Sequence, residues 1–388
     1  MATRADLGCY NIADLRERAR RRLPLGIWEY AERGVEDEAG MARNRAAFEA
    51  ITFRPRVLRG VHRVDASTEV FGQQVPFPLA VAPTGAAGLM WHKGDAALAR
   101  AAATAGVPFI ISSASTMDLE QIVGTDGRQW FQLYLWEDRS LSHAVVDRAW
   151  NSGCEALFVT LDLPVQPNRE YIQRNGFGTP FTLNARNTLD VLTHPRWLAG
   201  VMGRYMLEGG IPTQANLPDR LRAKVTKGAP PGALFKQDDL DWDGVKELRD
   251  RWPGKFVLKG VLHPEDAEQA LALGADGIVV SNHGGRALDC SLAPMDALPA
   301  IVEAVGGRMT VFLDSGVRRG SDVVKAVALG ADMVLAGRAP LYGLAAFGEP
   351  GVARAIELLR SETIRTMAML GARTMSEVRA ALAEGSPA

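Results

Sequence analysis

Eight short apolar runs, most of them separated by alanine-rich stretches that stop at glycine, constrain this chain more than any other feature. The runs lie at 79–83, 108–112, 129–135, 156–161, 256–260, 277–281, 310–314 and 333–337. Between them stand helical segments such as "GDAALARAAATAG", "PEDAEQALALG" and "SDVVKAVALG". Glycine tolerates the left-handed conformation that ends a helix, so each segment carries its own stop. Strands joined by helical crossovers must run parallel, and eight of them can close on themselves. The pattern predicts an α/β fold, a (β/α)8 TIM barrel, and 388 residues suit one. An open doubly wound sheet would carry G-x-G-x-x-G after an early strand, and none stands there.

Two stretches depart from the alternation. Residues 1–75 read as an N-terminal helical extension, with helices expected over 13–33 and 37–50. Residues 163–241 are too long for a simple crossover and read as a lid or subunit contact inserted after the fourth strand. The whole chain, 1–388, is expected to form one domain: the extension, a barrel over 76–350, and C-terminal helices and tail over 351–388.

Composition narrows the function classes. A net charge of -1 gives no basic surface for nucleic acid. Three cysteines without C-x-x-C spacing argue against a disulfide framework and for a reducing compartment. The N-terminus has arginines but no apolar core of a signal peptide, and no window reaches the roughly 18 apolar residues of a membrane span. A cytoplasmic enzyme is expected. The six histidines fall into no cluster with metal-ligand spacing, so no metal is assigned.

Barrel chemistry sits at the C-terminal ends of strands. Those ends offer Thr84 and Gly85, Ser112, Gln132 and Tyr134, Thr160 and Asp162, Lys259, Ser281 with His283 and Arg286, Asp314 with Gly316 and Arg318, and Gly337 with Arg338. Unpaired polar groups at half-buried positions are costly, so this concentration points to a site. "DSGVRRG" (314–320) and "AGR" (336–338) place cations and glycines before helices at the last two strands, where backbone N–H groups and arginine can hold a phosphate. Lys259 allows a Schiff-base aldolase or isomerase; the surrounding hydrogen-bonding groups suit a planar, phosphorylated cofactor.

The strings "SNHGGRALD" (281–289), "VTLDLP" (159–164), "FQLY" (131–134), "VLKG" (257–260) and "DSGVRRGSDVVKAVALG" (314–330) resemble the FMN-dependent 2-hydroxy-acid oxidoreductases. That family includes glycolate oxidases, lactate monooxygenases and flavocytochrome lactate dehydrogenases. Its mandelate-dehydrogenase branch is the most similar in appearance, through "GIWEYAERGVEDE", "APTGAAGLMWHKGD" and "THPRW". The resemblance implies FMN in a barrel that is usually a homotetramer. It implies flavin-ring contacts from Thr84, Gly85, Ser112, Gln132, Thr160, Lys259 and Ser281, and ribityl or phosphate contacts from Asp314, Gly316, Arg318, Gly337 and Arg338.

For the substrate, the resemblance implies His283 as base with Asp162 stabilising its imidazolium. Arg286 and Arg169 would bind the carboxylate, and Tyr30 and Tyr134 would offer hydroxyls. Ala114 replaces the bulky aromatic of the short-chain glycolate oxidases and leaves room for an aryl group, which favours mandelate. Gly85 stands where the oxidases commonly have alanine, which favours a dehydrogenase; the acceptor is left between O2 and a membrane quinone or carrier. Apolar residues with Arg196 and Arg204 across 175–215 allow peripheral contact with the inner membrane face.

Overall fold

A computed structural model describes residues 7–125, 127–178, 184–217, 239–378 and 381–382, with 222, 224 and 227. The N-terminal extension contains α1 (Ile12–Arg22), α2 (Leu25–Glu32) and α3 (Ala39–Ala50). The helix expected over 13–33 is therefore two. Pro24 pushes the residue before it out of the helical region, and Leu23 is extended at φ -90 and ψ 138. The second helix begins at Ala39 rather than 37, because Glu38 takes a left-handed φ of 63.

A small antiparallel hairpin, β1 (Thr68–Val70) and β2 (Gln73–Val75), precedes the barrel. The barrel strands are β3 (Leu79–Val81), β4 (Phe109–Ser112), β5 (Gln129–Leu133), β6 (Ala156–Thr160), β7 (Lys255–Val261), β8 (Gly277–Val280), β9 (Thr310–Leu313) and β10 (Met333–Ala336). They close in sequence order, all parallel, with β10 pairing β3. This is the eight-stranded barrel that the alternation predicts.

Side chains on a strand alternate between faces, and here the alternation sorts two cores. Ile110, Trp130, Phe158, Val257, Val279 and Phe312 fill the barrel interior. Their neighbours Ile111, Phe131, Val159, Leu258 and Ile278 belong to the outer layer against the helices. Both faces are buried, which is why the strands read as unbroken apolar runs. Phe71 at the hairpin tip packs its ring 5.6 Å from Trp130 and 5.8 Å from Phe312, plugging the floor.

β7 carries an irregularity that serves the site. Its register with β8 shifts between Lys259 and Val261, around Gly260 at φ 106. A β-carbon on Gly260 would lie 2.6 Å from Cβ of Asp162, so only glycine lets the two strand ends approach.

The insertion after β6 contributes helices Glu170–Asn175, Ala185–Leu192 and Pro195–Trp197; the last continues through a wide turn, Leu198–Gly203, into Arg204–Glu208. Trp197 pins it to the barrel by donating to the Leu89 carbonyl at 2.7 Å. Residues 228–238, within the loose stretch "TKGAPPGALFKQDD", lie outside the described residues. The chain's end supplies one long helix, Glu349–Leu370, and a short 3-10 turn, Met375–Glu377. Among the described residues, no helix is long and apolar enough to cross a membrane.

Candidate active site

One cleft opens at the C-terminal ends of the strands. Its walls include Tyr30, Thr84, Gly85, Ala114, Tyr134, Thr160, Arg169, Lys259, His283, Arg286, Asp314, Gly316, Arg318, Gly337 and Arg338. Tyr30 and Arg338, 308 positions apart in the sequence, are thus brought to one mouth. Ser112, Gln132 and Ser281 are not on the wall. They are buried one layer behind it, where Ser112 donates to Gln132 at 3.0 Å and Gln132 donates to Thr160 at 2.9 Å.

His283 follows β8 in a left-handed backbone conformation, φ 57, with its N–H on Ser281 Oγ at 3.1 Å. A non-glycine residue in that region signals a constraint worth explaining. The turn aims both ring nitrogens at partners. Nδ1 lies 2.8 Å from Asp162 Oδ1 and Nε2 lies 3.1 Å from Tyr134 Oη. Burial pushes the imidazole below its ordinary value; Asp162 opposes this, and Lys259 and Arg169 add to the depression. For Asp162 burial acts upward, but His283 and Lys259 outweigh it and hold the carboxyl below the usual range. The result is a neutral imidazole backed by a carboxylate, the arrangement of a general base with an orienting acid. Tyr134 stays a phenol: burial and the Asp162 charge push its ionisation up.

Lys259 ends its reach at Ser281 Oγ, 2.8 Å, with Asp314 at 3.2 Å and Asp162 at 3.9 Å. Burial alone would favour the free amine, but Asp314 and Asp162 outweigh it and raise the lysine above its ordinary value. A Schiff-base nucleophile needs the opposite, a depressed amine. The aldolase reading loses its residue.

Cations collect around the cleft. Arg286 crosses the Tyr30 ring at 5.4 Å and reaches Tyr171 Oη at 3.4 Å. Arg169 is half-buried, its Nε is buried without a hydrogen-bond partner, and both desolvation and Arg286 depress it. A guanidinium with a buried, unmet donor beside a second guanidinium suits an anion with two oxygens. Arg338, at the first turn of helix Arg338–Phe347, is pushed down to about 10 by burial, Arg286 and Arg318. Arg318 lies over the Tyr342 ring at 5.5 Å. This second cationic group, at a helix start, is chemically suited to a phosphate.

Comparison with known proteins decides the family. Residues 19–384 match the family model described as FMN-dependent dehydrogenase. The chain belongs to the FMN-dependent dehydrogenase family. It is 41% identical to the (S)-mandelate dehydrogenase of Pseudomonas putida, over 93% of this chain and 90% of that protein. An L-lactate dehydrogenase of Bartonella quintana is 40% identical over 94% of this chain and 95% of its own. A solved structure described as monotopic membrane protein (S)-mandelate dehydrogenase superposes with TM-score 0.91 at 40% identity, covering 97% of this chain and 99% of that one. A mandelate oxidase with (S)-2-phenylpropionate matches with TM-score 0.80 at 37% identity, covering 96% and 97%.

FMN fits the donors that the FMN-dependent dehydrogenase presents. Thr84 Oγ1 is buried at the cleft with no hydrogen-bond partner, and the cationic helix start at Arg338 suits the phosphate. Lys259 supplies a buried positive charge deep in the mouth, which would stabilise a reduced, anionic flavin ring bound against it.

Several lining residues escaped the reading of the sequence. Leu163, Val165 and Pro167 enter from the insertion and make the cleft's apolar rim. Ser315 sits at φ 76, donates to Asp314 at 2.7 Å and accepts the Gly284 N–H at 2.9 Å, tying the loop after β9 to the His283 turn. Its position between Asp314 and Gly316 was the one available signal.

Proposed function

We propose that this FMN-dependent dehydrogenase oxidises an (S)-2-hydroxy acid with an aryl side group, mandelate or a ring-substituted mandelate, to the 2-oxo acid. The observation that carries the reading is the Asp162–His283–Tyr134 alignment facing Arg169 and Arg286. The two arginines clamp the carboxylate, which fixes the substrate's second carbon. His283 Nε2 takes one of the two protons that the oxidation releases, and Asp162 stabilises the imidazolium. Tyr30 and Tyr134 orient the substrate oxygens. FMN, when bound, would accept the electron pair together with the other proton, leaving the anionic reduced ring. Thr84 and Thr160 would meet the flavin ring from the cleft wall, with Ser112, Gln132 and Ser281 supporting it from behind. Asp314, Gly316, Arg318, Gly337 and Arg338 would take the ribityl chain and phosphate.

The aryl preference rests on Ala114. Its methyl would lie only 3.1 Å from a β-carbon placed on Gly85, beside Tyr30 Oη, so the side chain at 114 bounds the substrate's space. Lactate would use the same catalytic groups, as the identity with L-lactate dehydrogenases allows. Steady-state kcat/KM for (S)-mandelate, (S)-lactate and glycolate tests the substrate. Comparing a quinone analogue with O2 as oxidant tests the acceptor.

Contact with a membrane surface is part of the proposal. Leu189, Leu192, Met206 and Leu207 are exposed on the insertion's helices, interspersed with Arg196 and Arg204. Apolar side chains with flanking cations suit an anionic interface. Co-sedimentation with anionic vesicles, lost in Leu207→Glu, checks it.

A further inference from the structure

The carbonyl of Arg33 accepts from two functional guanidinium groups at once. Arg286 Nη1 donates to it at 2.5 Å and Arg338 Nη2 at 3.3 Å. Arg338 is fixed further by the carbonyls of Gly284, 2.8 Å, and Ala31, 3.3 Å. Two like charges meet at one oxygen, so its position sets the spacing of both.

What holds that oxygen lies outside the cleft. Arg33 and Gly34 form the exit from α2, and the carboxylate of Glu38 closes over them. It accepts the Gly34 N–H at 2.9 Å and the Arg33 side chain, while the Glu38 N–H binds the Val35 carbonyl at 2.9 Å. Val35 in turn donates to Gly285 at 3.2 Å, next to Arg286. Gly34 has no space for a side chain, since a β-carbon there would lie 2.7 Å from the Gly285 carbonyl. The Glu38 side chain is about a third exposed and lines no part of the cleft.

We propose that Glu38 is a positioning residue that sets the substrate-carboxylate and cofactor-phosphate sites together, through the Arg33 carbonyl shared by Arg286 and Arg338. The inference rests on the roles given to those two arginines above. It makes the N-terminal extension part of the site's machinery, which residue type and spacing alone do not reveal.

Three readouts on Glu38→Ala and Glu38→Gln test it. They are KM against kcat for (S)-mandelate, the affinity of phenylacetate from its perturbation of the flavin spectrum, and the affinity of the stripped protein for FMN by fluorescence. Glu38→Ala is expected to weaken phenylacetate and FMN, and to raise KM, each by about five- to tenfold, the size of one ordinary hydrogen bond, because the lost contact reaches both sites only through the Arg33 carbonyl. The value of kcat should stay within about twofold, because the base is untouched. Glu38→Gln should recover most of both affinities, since its amide oxygen still accepts the Gly34 N–H. A lowered Tm with both affinities unchanged, or loss at one site only, overturns the proposal. If Glu38→Ala does not fold, Glu38→Asp is read by the same criteria. FMN binding requires neither substrate nor turnover, so a wrong substrate assignment would show in the kinetics and in wild-type phenylacetate affinity while leaving the FMN readout intact.

Discussion

His283 and Asp162 meet at 2.8 Å across 121 residues of chain, and the same imidazole points its other nitrogen at Tyr134. The Gly260 bulge admits Asp162 from one strand end, and the left-handed turn at 283 brings the ring from another. Removing the ring removes the base and leaves the cofactor contacts. His283→Ala should therefore retain FMN while flavin reduction by substrate slows by about 10²–10⁴-fold. Anaerobic stopped-flow absorbance reads the rate, and a near-normal rate would take His283 out of the reaction.

The pH profile follows from the depressed imidazole. Burial keeps His283 neutral to lower pH than its ordinary 6.5, despite the pull of Asp162. The rate constant for flavin reduction should stay level as pH falls to 6.5 and decline only below it. Asp162→Asn removes the group that favours the imidazolium, so the base weakens and the rate drops on the order of 10²-fold or more. An acid limb above 6.5 in the wild type would contradict this assignment.

Arg286 donates from two nitrogens to two different partners, Arg33 and Tyr171, which fixes the plane of its fork. An ammonium has no such plane. Arg286→Lys should raise KM for 2-hydroxy acids and the dissociation constant of phenylacetate by about tenfold or more, a loss of roughly 1.5–3 kcal/mol for a hydrogen bond to a charged group. Titration of the flavin spectrum with phenylacetate checks it. Unchanged affinity would move the carboxylate onto Arg169.

Specificity turns on volume at Ala114. Burying an aryl ring contributes roughly 2–3 kcal/mol, and glycolate has no group to gain it. (S)-Mandelate should therefore exceed glycolate in kcat/KM, and Ala114→Trp should reverse much of that preference. Equal losses for both acids would show that position 114 does not bound the pocket.

Much of this was legible in the sequence because it depends on local pattern. β5 and β6 are buried along their whole length, so their apolar runs stand out. His283 and Lys259 announce themselves as polar residues at the end of such runs. The missing parts are non-local. No periodicity shows that Arg33 offers one carbonyl to Arg286 and Arg338, 253 and 305 residues away. Nor does it show that Ser112 and Gln132 sit behind the cleft wall, since strand twist decides which polar end reaches the mouth. The break at Leu23 was readable from Pro24; the alanine- and arginine-rich flanks hid it.

We propose that this chain passes the electrons of a 2-hydroxy acid to FMN with His283 as base. Mixing the purified holoenzyme with (S)-mandelate in the absence of oxygen tests it most directly. The yellow flavin absorbance is expected to bleach within a single turnover, with one benzoylformate formed per flavin, and His283→Ala to bleach far more slowly. A flavin that stays oxidised with (S)-mandelate, (S)-lactate and glycolate alike would rule out 2-hydroxy-acid oxidation at this site.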